Sequence, residues 1–229
     1  MDCQKNDLPI ITKPSKSLSG LKVLVTAGPT YEYIDPISYI GNRSSGKMGF
    51  ALANAAHEAG AEVVLISGPV NMSDPDGITC IKVVSAQEMQ QAVFAQYSDT
   101  NIVIMAAAVA DYRPAKIIDI KIKKGQHPKQ LELIRTPDIL AKLGVNKANR
   151  FLVGFAAETN DLEKYAKNKL LEKNLDLILA NDVSQSGAGF DVDTNIITAF
   201  YDKNIKQYPQ MTKKEIAKEI IDLIVQLRS

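Results

Sequence analysis

The sequence contains no tryptophan, and only two cysteines and two histidines occur among its 229 residues. Cys3 lies near the N-terminus and Cys80 lies in an apolar stretch, a spacing that fits neither a metal site nor a disulfide framework. His57 and His127 are far apart in the chain, and neither has a neighbouring nucleophile and orienting group. We therefore expect no histidine-based metal site and no Ser-His catalysis.

Long apolar runs are also absent, since no run approaches the roughly eighteen residues that a membrane span needs. The chain is 45% hydrophobic and 23% charged with a formal net charge of +1, so it has no overall field that would attract nucleic acid or an anionic membrane. Its N-terminus lacks the continuous apolar core of a signal peptide. These features predict a cytoplasmic protein without nucleic-acid or membrane partners, in which any phosphate binding is local.

Short apolar runs alternate with amphipathic segments, a pattern typical of an α/β fold with helices on both faces of a sheet. The predicted fold is Rossmann-like and doubly wound, and its sheet is mostly parallel with an antiparallel edge hairpin at residues 196–201 and 205–208. The predicted parallel strands are residues 21–26, 62–67, 78–84, 101–107, 151–157 and 175–180. Ligands of such sheets bind beyond the carboxyl ends of the strands.

Helix starts are marked by capping patterns at residues 85–88, 160–163 and 212–215, and by Thr136-Pro137-Asp138 before a short helix. Another helix is predicted over residues 48–59. Residues 116–124 (KIIDIKIKK) alternate apolar and polar side chains, which predicts a half-exposed strand that pairs with residues 131–134 in a protruding arm. We expect residues 1–20 to be a tail or linker remnant and residues 21–229 to be a single domain.

The loop of residues 28–49 (GPTYEYIDPISYIGNRSSGKMG) connects the first strand to a helix and is the strongest candidate for an anion site. Backbone N–H groups at a helix N-terminus and the helix dipole favour phosphate there. Residues 41–47 fit the phosphate-loop pattern, but Met48 stands where Ser or Thr would hold magnesium. A dinucleotide fingerprint is missing as well, because Gly28 is followed by Pro29. The alternative is that these residues only form turns and cap the helix.

Several stretches of residues 21–227 together resemble phosphopantothenoylcysteine synthetase. They are TAGPT (26–30), IGNRSSGKMG (40–49), AAAVADYR (106–113), KIKK (121–124), GFAAET (154–159) and AND (180–182). The resemblance implies a homodimer that activates the carboxylate of 4'-phosphopantothenate with CTP, typical of bacterial members, and with Mg2+. Pyrophosphate leaves, and the amine of L-cysteine then attacks the acyl-cytidylate to release CMP. Many bacterial members follow a flavin-dependent decarboxylase on one polypeptide, and residues 1–20 resemble the connecting segment.

The resemblance also implies residue roles. The catalytic residues would be Asn42 and Lys121, and Asn42, Ala108 and Arg43 would bind the substrate. Nucleotide binding would fall to Gly28, Ser44, Gly46, Gly49, Ala107, Asp111, Lys121, Phe155, Lys169, Lys173 and Asn181. No metal ligands are identified, and Ser38 stands where the bacterial pattern usually has Arg.

Two of these assignments have a chemical basis and a structural alternative. The amide of Asn42 can donate to a carbonyl oxygen as negative charge develops on it, although an asparagine here would also suit a turn. Lys169 and Lys173 are four residues apart on one predicted helix and can face one anion, although they could equally form a solvated face.

Two functions from other classes remain open. A nicotinamide-dependent oxidoreductase is disfavoured by the missing dinucleotide fingerprint. A non-catalytic nucleotide-binding module would use the same glycines and lysines for binding alone.

Overall fold

The computed structural model describes residues 17–125, 130–158, 161–182, 189 and 192–228. The helices are α1 Lys47–Glu58, α2 Ala86–Tyr97, α3 Ile139–Val145, α4 Leu162–Glu172 and α5 Lys213–Arg228. The strands of the main sheet are β1 Lys22–Ala27, β4 Glu62–Ser67, β5 Thr79–Lys82, β6 Ile102–Met105, β9 Phe151–Glu158, β10 Leu177–Asp182, β11 Thr194–Tyr201 and β12 Asn204–Thr212. Two small hairpins are formed by β2 Tyr31–Tyr33 with β3 Tyr39–Gly41, and by β7 Tyr112–Pro114 with β8 Leu133–Arg135.

The main sheet has the strand order β12-β11-β10-β9-β6-β1-β4-β5 among the described residues. Its strands from β10 to β5 are parallel, and β11 and β12 form an antiparallel hairpin at the other edge. The central strand β1 is almost continuously apolar because both of its faces are covered. The predicted mostly parallel sheet with an antiparallel edge hairpin is thus confirmed.

Helices cover both faces of the sheet and create two cores. Val23 and Val25 of β1 point to the core beneath α1 and α5, which contains Ile220. Leu24 points to the opposite core, beneath α2, α3 and α4, which contains Leu143. This alternation confirms the doubly wound prediction, because successive side chains of a strand face opposite sides.

Two predicted capping patterns are seen as hydrogen bonds. The N–H of Glu88 donates to Ser85 Oγ over 3.2 Å at the start of α2. At α5 the pair is reciprocal, since Glu215 N–H donates to Thr212 Oγ1 and Thr212 N–H donates to Glu215 Oε2. The start of α4 differs from its prediction. Its N-cap is Asp161, which has a φ of 47° and no capping bond from its side chain, and residue 160 lies outside the described residues.

The predicted pairing of the arm is wrong. Residues 116–124 form no strand; instead Tyr112–Pro114 pairs with Leu133–Arg135 at the base of the arm. Beyond that pairing the chain turns onto the β2–β3 hairpin, where the Ile118 N–H donates to the Ile34 carbonyl over 3.0 Å. The alternating residues 116–124 therefore form a segment that packs on the β2–β3 hairpin, and this hairpin was not predicted from the sequence. The turn predicted near residues 126–129 lies outside the described residues.

Two further boundaries can be seen in the structure. Leu18 is buried and donates its N–H to the Ala59 carbonyl over 2.9 Å, so packing begins before residue 21. Strand β10 runs two residues further than predicted and therefore includes Asn181. No described helix has the length and apolar character to cross a membrane.

Candidate functional site

A cleft of about 770 Å³ opens at the carboxyl ends of β1, β6, β9 and β10, where α/β sheets bind ligands. One wall is formed by the start of α1 and another by the segment between β8 and α3. The floor is the loop that follows β6, and α4 contributes Lys169 and Lys173 from the side.

The floor is held in place by two threonines, Thr26 near the end of β1 and Thr30 just after it. The N–H of Ala107 donates to Thr26 Oγ1 over 3.2 Å, and the N–H of Ala110 donates to Thr30 Oγ1 over 3.0 Å. The N–H of Ala108 donates to the Gly28 carbonyl over 2.9 Å. These bonds explain why threonine, glycine and small alanines occur here, since they fix a backbone loop without filling the cleft.

The start of α1 is packed so closely that glycine is required. A Cβ on Gly49 would lie 2.5 Å from Ala27 Cβ and 2.9 Å from the Thr26 carbonyl oxygen. Gly46 is the N-cap, with a φ of 78° that L side chains rarely adopt. These residues line the cleft, and the first amides of a helix lack intrahelical acceptors and can bind an anion.

Asn42 lies where the hairpin leads towards α1. Its Nδ2 donates to the carbonyl oxygens of Ala108 over 3.1 Å and Val109 over 3.4 Å. These bonds orient the side chain against the floor of the cleft. A primary amide nitrogen carries two hydrogens, so one N–H shared between these two adjacent carbonyls leaves the other able to donate to a ligand.

The Lys173 ammonium, on the α4 side of the cleft, forms an ion pair with a carboxylate that sequence reasoning did not assign to the site. Asp138, the N-cap of α3, lies 2.9 Å from Lys173 Nζ and accepts the Ala141 N–H over 3.0 Å. Partial burial opposes ionisation of Asp138, but the Ala141 N–H and the Lys173 ammonium outweigh it and lower the pKa of this carboxyl. Lys173 is thus pre-positioned at the cleft by an ion pair.

A buried lysine that lines the cleft was missed as well. Lys213 is buried with 6% of its surface exposed, and its ammonium donates to the Val192 carbonyl over 2.5 Å. Lys47 pairs with Asp193 over 2.6 Å, and this ammonium lowers the pKa of the Asp193 carboxyl. The sequence offered a local explanation for Lys213, as the first residue after a helix cap, and it gave no signal that the residue reaches the cleft.

The structure brings together most of the residues assigned from the sequence. Those that line the cleft are Asn42, Ser44, Gly46, Gly49, Ala107, Ala108, Asp111, Phe155, Lys169, Lys173 and Asn181. Three assigned residues lie elsewhere. Gly28 packs behind the α1 loop against Val70, whereas Arg43 and Lys121 are exposed, the latter on the arm.

Comparison with known proteins identifies the family of the chain. Residues 18–227 match the family model described as the DNA/pantothenate metabolism flavoprotein C-terminal domain. The chain belongs to this family. The match spans every helix and strand of the fold up to the last turn of α5.

Relatives of this DNA/pantothenate metabolism flavoprotein domain include the coenzyme A biosynthesis bifunctional protein CoaBC of Bacillus subtilis. That protein is 51% identical over 215 residues, a match that covers 93% of this chain and 53% of the relative. The protein of the same name from Escherichia coli is 45% identical over 216 residues, with 93% and 53% covered. The chain thus spans about half the length of the curated relatives it matches.

Solved structures show the same fold for this flavoprotein-family domain. The crystal structure of the C-terminal domain of a coenzyme A biosynthesis bifunctional protein CoaBC superposes with a TM-score of 0.80 at 43% identity, covering 93% of this chain and 98% of that one. The DNA/pantothenate metabolism flavoprotein from Streptococcus pneumoniae has a TM-score of 0.77 at 24% identity, covering 89% and 98%. The second likeness concerns the fold alone.

Proposed function

We propose that this chain ligates L-cysteine to 4'-phosphopantothenate using CTP. The reaction gives 4'-phosphopantothenoyl-L-cysteine, CMP and pyrophosphate, a step of coenzyme A biosynthesis. Support comes from relatives named for that pathway. The observation that carries the proposal is a single cleft that unites a helix N-terminus, the Lys169 and Lys173 pair, and Asn42.

Activation of the carboxylate needs a site for three phosphates and their charge. The N-terminal amides of α1 and the two α4 lysines offer donors from two sides of the cleft. The substrate carboxylate oxygen attacks the α-phosphorus of CTP, and the bond from that phosphorus to the pyrophosphate oxygen breaks. Lysine ammonium groups stabilise the charge that moves onto the pyrophosphate.

Asn42 then acts in the second half of the reaction. The cysteine nitrogen attacks the acyl carbon, negative charge builds up on the acyl oxygen, and the bond to the CMP oxygen breaks. When the two adjacent floor carbonyls share one N–H of Asn42, its other N–H can donate to this oxygen. Its amide is already oriented by the Ala108 and Val109 carbonyls, so little reorganisation is needed.

Recognition of the cytosine base would use the floor loop and Phe155. Met105, the last residue of β6, pairs with Gly154 of β9, so the floor loop starts beside Phe155. A ring next to backbone donors and acceptors suits a pyrimidine, and unpaired polar groups would penalise a wrong base. Strand β4 ends at Ser67 and is followed by Gly68, so its tip lacks the acidic residue that contacts the ribose in NAD sites.

We expect Mg2+ to enter the site bound to the triphosphate of CTP. Among the described residues no group of three His, Cys, Asp or Glu side chains could hold a metal ion. A nucleotide-bound Mg2+ needs few protein ligands besides phosphate oxygens, and Asp111 is a carboxylate that lines the cleft. Bound there, the ion would neutralise phosphate charge.

A homodimer is part of the proposal. Large apolar side chains are exposed on the β2–β3 hairpin and the arm, including Ile37 and Ile117 at 61% and Ile120 at 76%. Such a patch on one side of a molecule marks an association surface. Lys121 lies on this patch rather than in the cleft, so its catalytic role requires that the arm bring it to a cleft, its own or the partner's.

The cytoplasm is the proposed location, because the substrates are charged metabolites that membranes exclude.

The test of the proposed function is pyrophosphate release from CTP, ATP, UTP and GTP at equal subsaturating concentration, with and without 4'-phosphopantothenate. We expect release only with the pantothenate substrate and the highest kcat/KM for CTP. A higher kcat/KM for ATP would overturn the nucleotide assignment, and binding of CTP without turnover would favour the non-catalytic module.

A further inference from the structure

Asp35 is a buried carboxylate that the proposed chemistry does not use. It lies at the turn of the β2–β3 hairpin with 2% of its surface exposed. Its Oδ1 accepts the N–H groups of Ile37 over 2.8 Å and Ser38 over 2.7 Å, both within its own turn. Its Oδ2 accepts the N–H of Ile122 over 2.9 Å, which belongs to the arm.

The two oxygens therefore serve different purposes. The Oδ1 bonds shape the hairpin turn in the manner of an Asx turn, and they would do so without the arm. The Oδ2 bond reaches a residue 87 positions along the chain, immediately after Lys121. The Ile118 N–H bond to the Ile34 carbonyl gives the same segment a second attachment to the hairpin.

The chemistry of the bond suits an anchor. A hydrogen bond to an ionised acceptor is stronger than a neutral one, and a buried carboxylate is costly to leave without its donors. The N–H groups of Ile122, Ile37 and Ser38 lower the pKa of Asp35 to about 2, so this acceptor stays ionised at neutral pH.

We propose that Asp35 is a positioning residue that fixes the arm backbone beside Lys121 and thereby sets where the Lys121 ammonium can act during activation of the carboxylate. The inference rests on the proposed function. It assigns to the hairpin a part in catalysis, although Asp35 touches no substrate.

A double-mutant cycle tests this coupling. Asp35→Asn keeps one oxygen for the turn and replaces the other with an NH2 group that cannot accept from Ile122. We expect Asp35→Asn to lower kcat for pyrophosphate release about tenfold or more, and Lys121→Gln to lower it by about 10²-fold. In the Lys121→Gln background, Asp35→Asn should cost less than about twofold, because its effect acts through Lys121.

Glu32 provides the matched control. It is another buried carboxylate of the same hairpin, 4% exposed, but it accepts the N–H of Ala86 at the start of α2 over 2.8 Å. Any effect of Glu32→Gln on kcat should be equal in both Lys121 backgrounds. Equal effects of Asp35→Asn in both backgrounds would show a merely structural role and overturn the inference.

Amide hydrogen exchange of the full chain gives a readout that does not depend on turnover. In Asp35→Asn the Ile122 amide should exchange about tenfold faster or more, while the Ala86 amide keeps its rate. Unchanged exchange at Ile122 overturns the anchor. A wild-type chain with a protected Ile122 amide but no CTP-dependent pyrophosphate release would instead reject the proposed function, and with it the catalytic part of this inference.

Discussion

The side-chain amide of Asn42 is bonded to the carbonyl oxygens of the cleft floor before any ligand arrives. Replacing it with a carboxylate, as in Asn42→Asp, would repel both these carbonyls and the oxyanion that forms when cysteine attacks. We expect the variant to form the acyl-cytidylate but to stall before amide formation. Rapid-quench mass spectrometry should then detect accumulated intermediate.

Asn146→Asp is the control for this prediction. Asn146 is the C-cap residue of α3, and its amide likewise donates to a backbone carbonyl, that of Lys142, over 3.2 Å. It does not line the cleft, so no intermediate should accumulate in that variant. Normal flux to phosphopantothenoylcysteine in Asn42→Asp would remove Asn42 from the mechanism.

Asp35 should also give the folded state a specific acid sensitivity. Its folded pKa of about 2 lies below that of an unfolded aspartate, about 3.9. The ionised group therefore stabilises the fold above about pH 4, and this contribution is lost as the pH falls towards about 2. Urea unfolding at several pH values should show a smaller loss of stability between pH 5 and pH 2 in Asp35→Asn than in wild type. An identical pH dependence in both proteins would contradict the lowered pKa.

At the residue scale, Asn42 and the lysines at positions 169 and 173 were assigned through the family resemblance, because an asparagine also suits a turn and the lysines could also form a solvated helix face. The structure places all three residues in the cleft. Asp138 and Lys213 were missed because helix capping already accounted for their surroundings. Their contacts with the cleft depend on tertiary packing between α3 and α4, and between α5 and the segment before β11, which no local pattern encodes.

At the scale of elements, α1 packs closely against β1 at the edge of the site. A methyl group at residue 49 would meet Ala27 and the Thr26 carbonyl, and both belong to a buried strand that has no room to shift. We expect Gly49→Ala to destabilise the protein by about 1–3 kcal/mol, as overpacking does, and to weaken nucleotide binding because the helix N-terminus must move. Urea unfolding and CTP titration measure the two effects.

Gly125→Ala is the matched control. A Cβ on Gly125 meets nothing within 4 Å, so its stability should stay within about 0.5 kcal/mol of wild type. A Gly49→Ala protein as stable as Gly125→Ala would show that α1 can shift away from β1.

The arm shows why one element was predicted incorrectly. Alternating isoleucine and lysine fits a strand, but alternation only indicates that one side is apolar. Here Ile117 and Ile120 stay exposed, and the backbone bonds go to the hairpin and to Asp35 instead of to a neighbouring strand. The β2–β3 hairpin itself could not be predicted, because its strands are only three residues long.

At the scale of the whole molecule, the sheet was the most predictable feature. Its buried parallel strands carry continuous apolar runs. Successive residues of each strand face opposite sides of the sheet and so contribute to the two different cores. These apolar runs do not indicate whether two chains associate. That association can be tested by changing the exposed apolar residues of the β2–β3 hairpin and the arm.

We expect a dimer in solution that depends on this patch. Two charges introduced by Ile37→Asp and Ile120→Asp should be costly to bury and should give a particle with the mass of one chain by light scattering. Leu171 lies on α4 and is 79% exposed, close to the 76% of Ile120, so Leu171→Asp should leave the mass of wild type unchanged. A wild-type protein that is monomeric throughout, or a dimer unaffected by the Ile37 and Ile120 changes, would contradict the proposed surface.

The central claim is that this cleft joins the substrate carboxylate to the α-phosphorus of CTP. The most direct measurement uses 4'-phosphopantothenate labelled with oxygen-18 in its carboxylate, together with CTP and cysteine. Attack by a carboxylate oxygen on the α-phosphorus transfers that oxygen to the nucleotide when the amine displaces it, so the account predicts CMP that carries one labelled oxygen and unlabelled pyrophosphate. Label in inorganic phosphate with CDP as the nucleotide product, or CMP without label, would contradict an acyl-cytidylate.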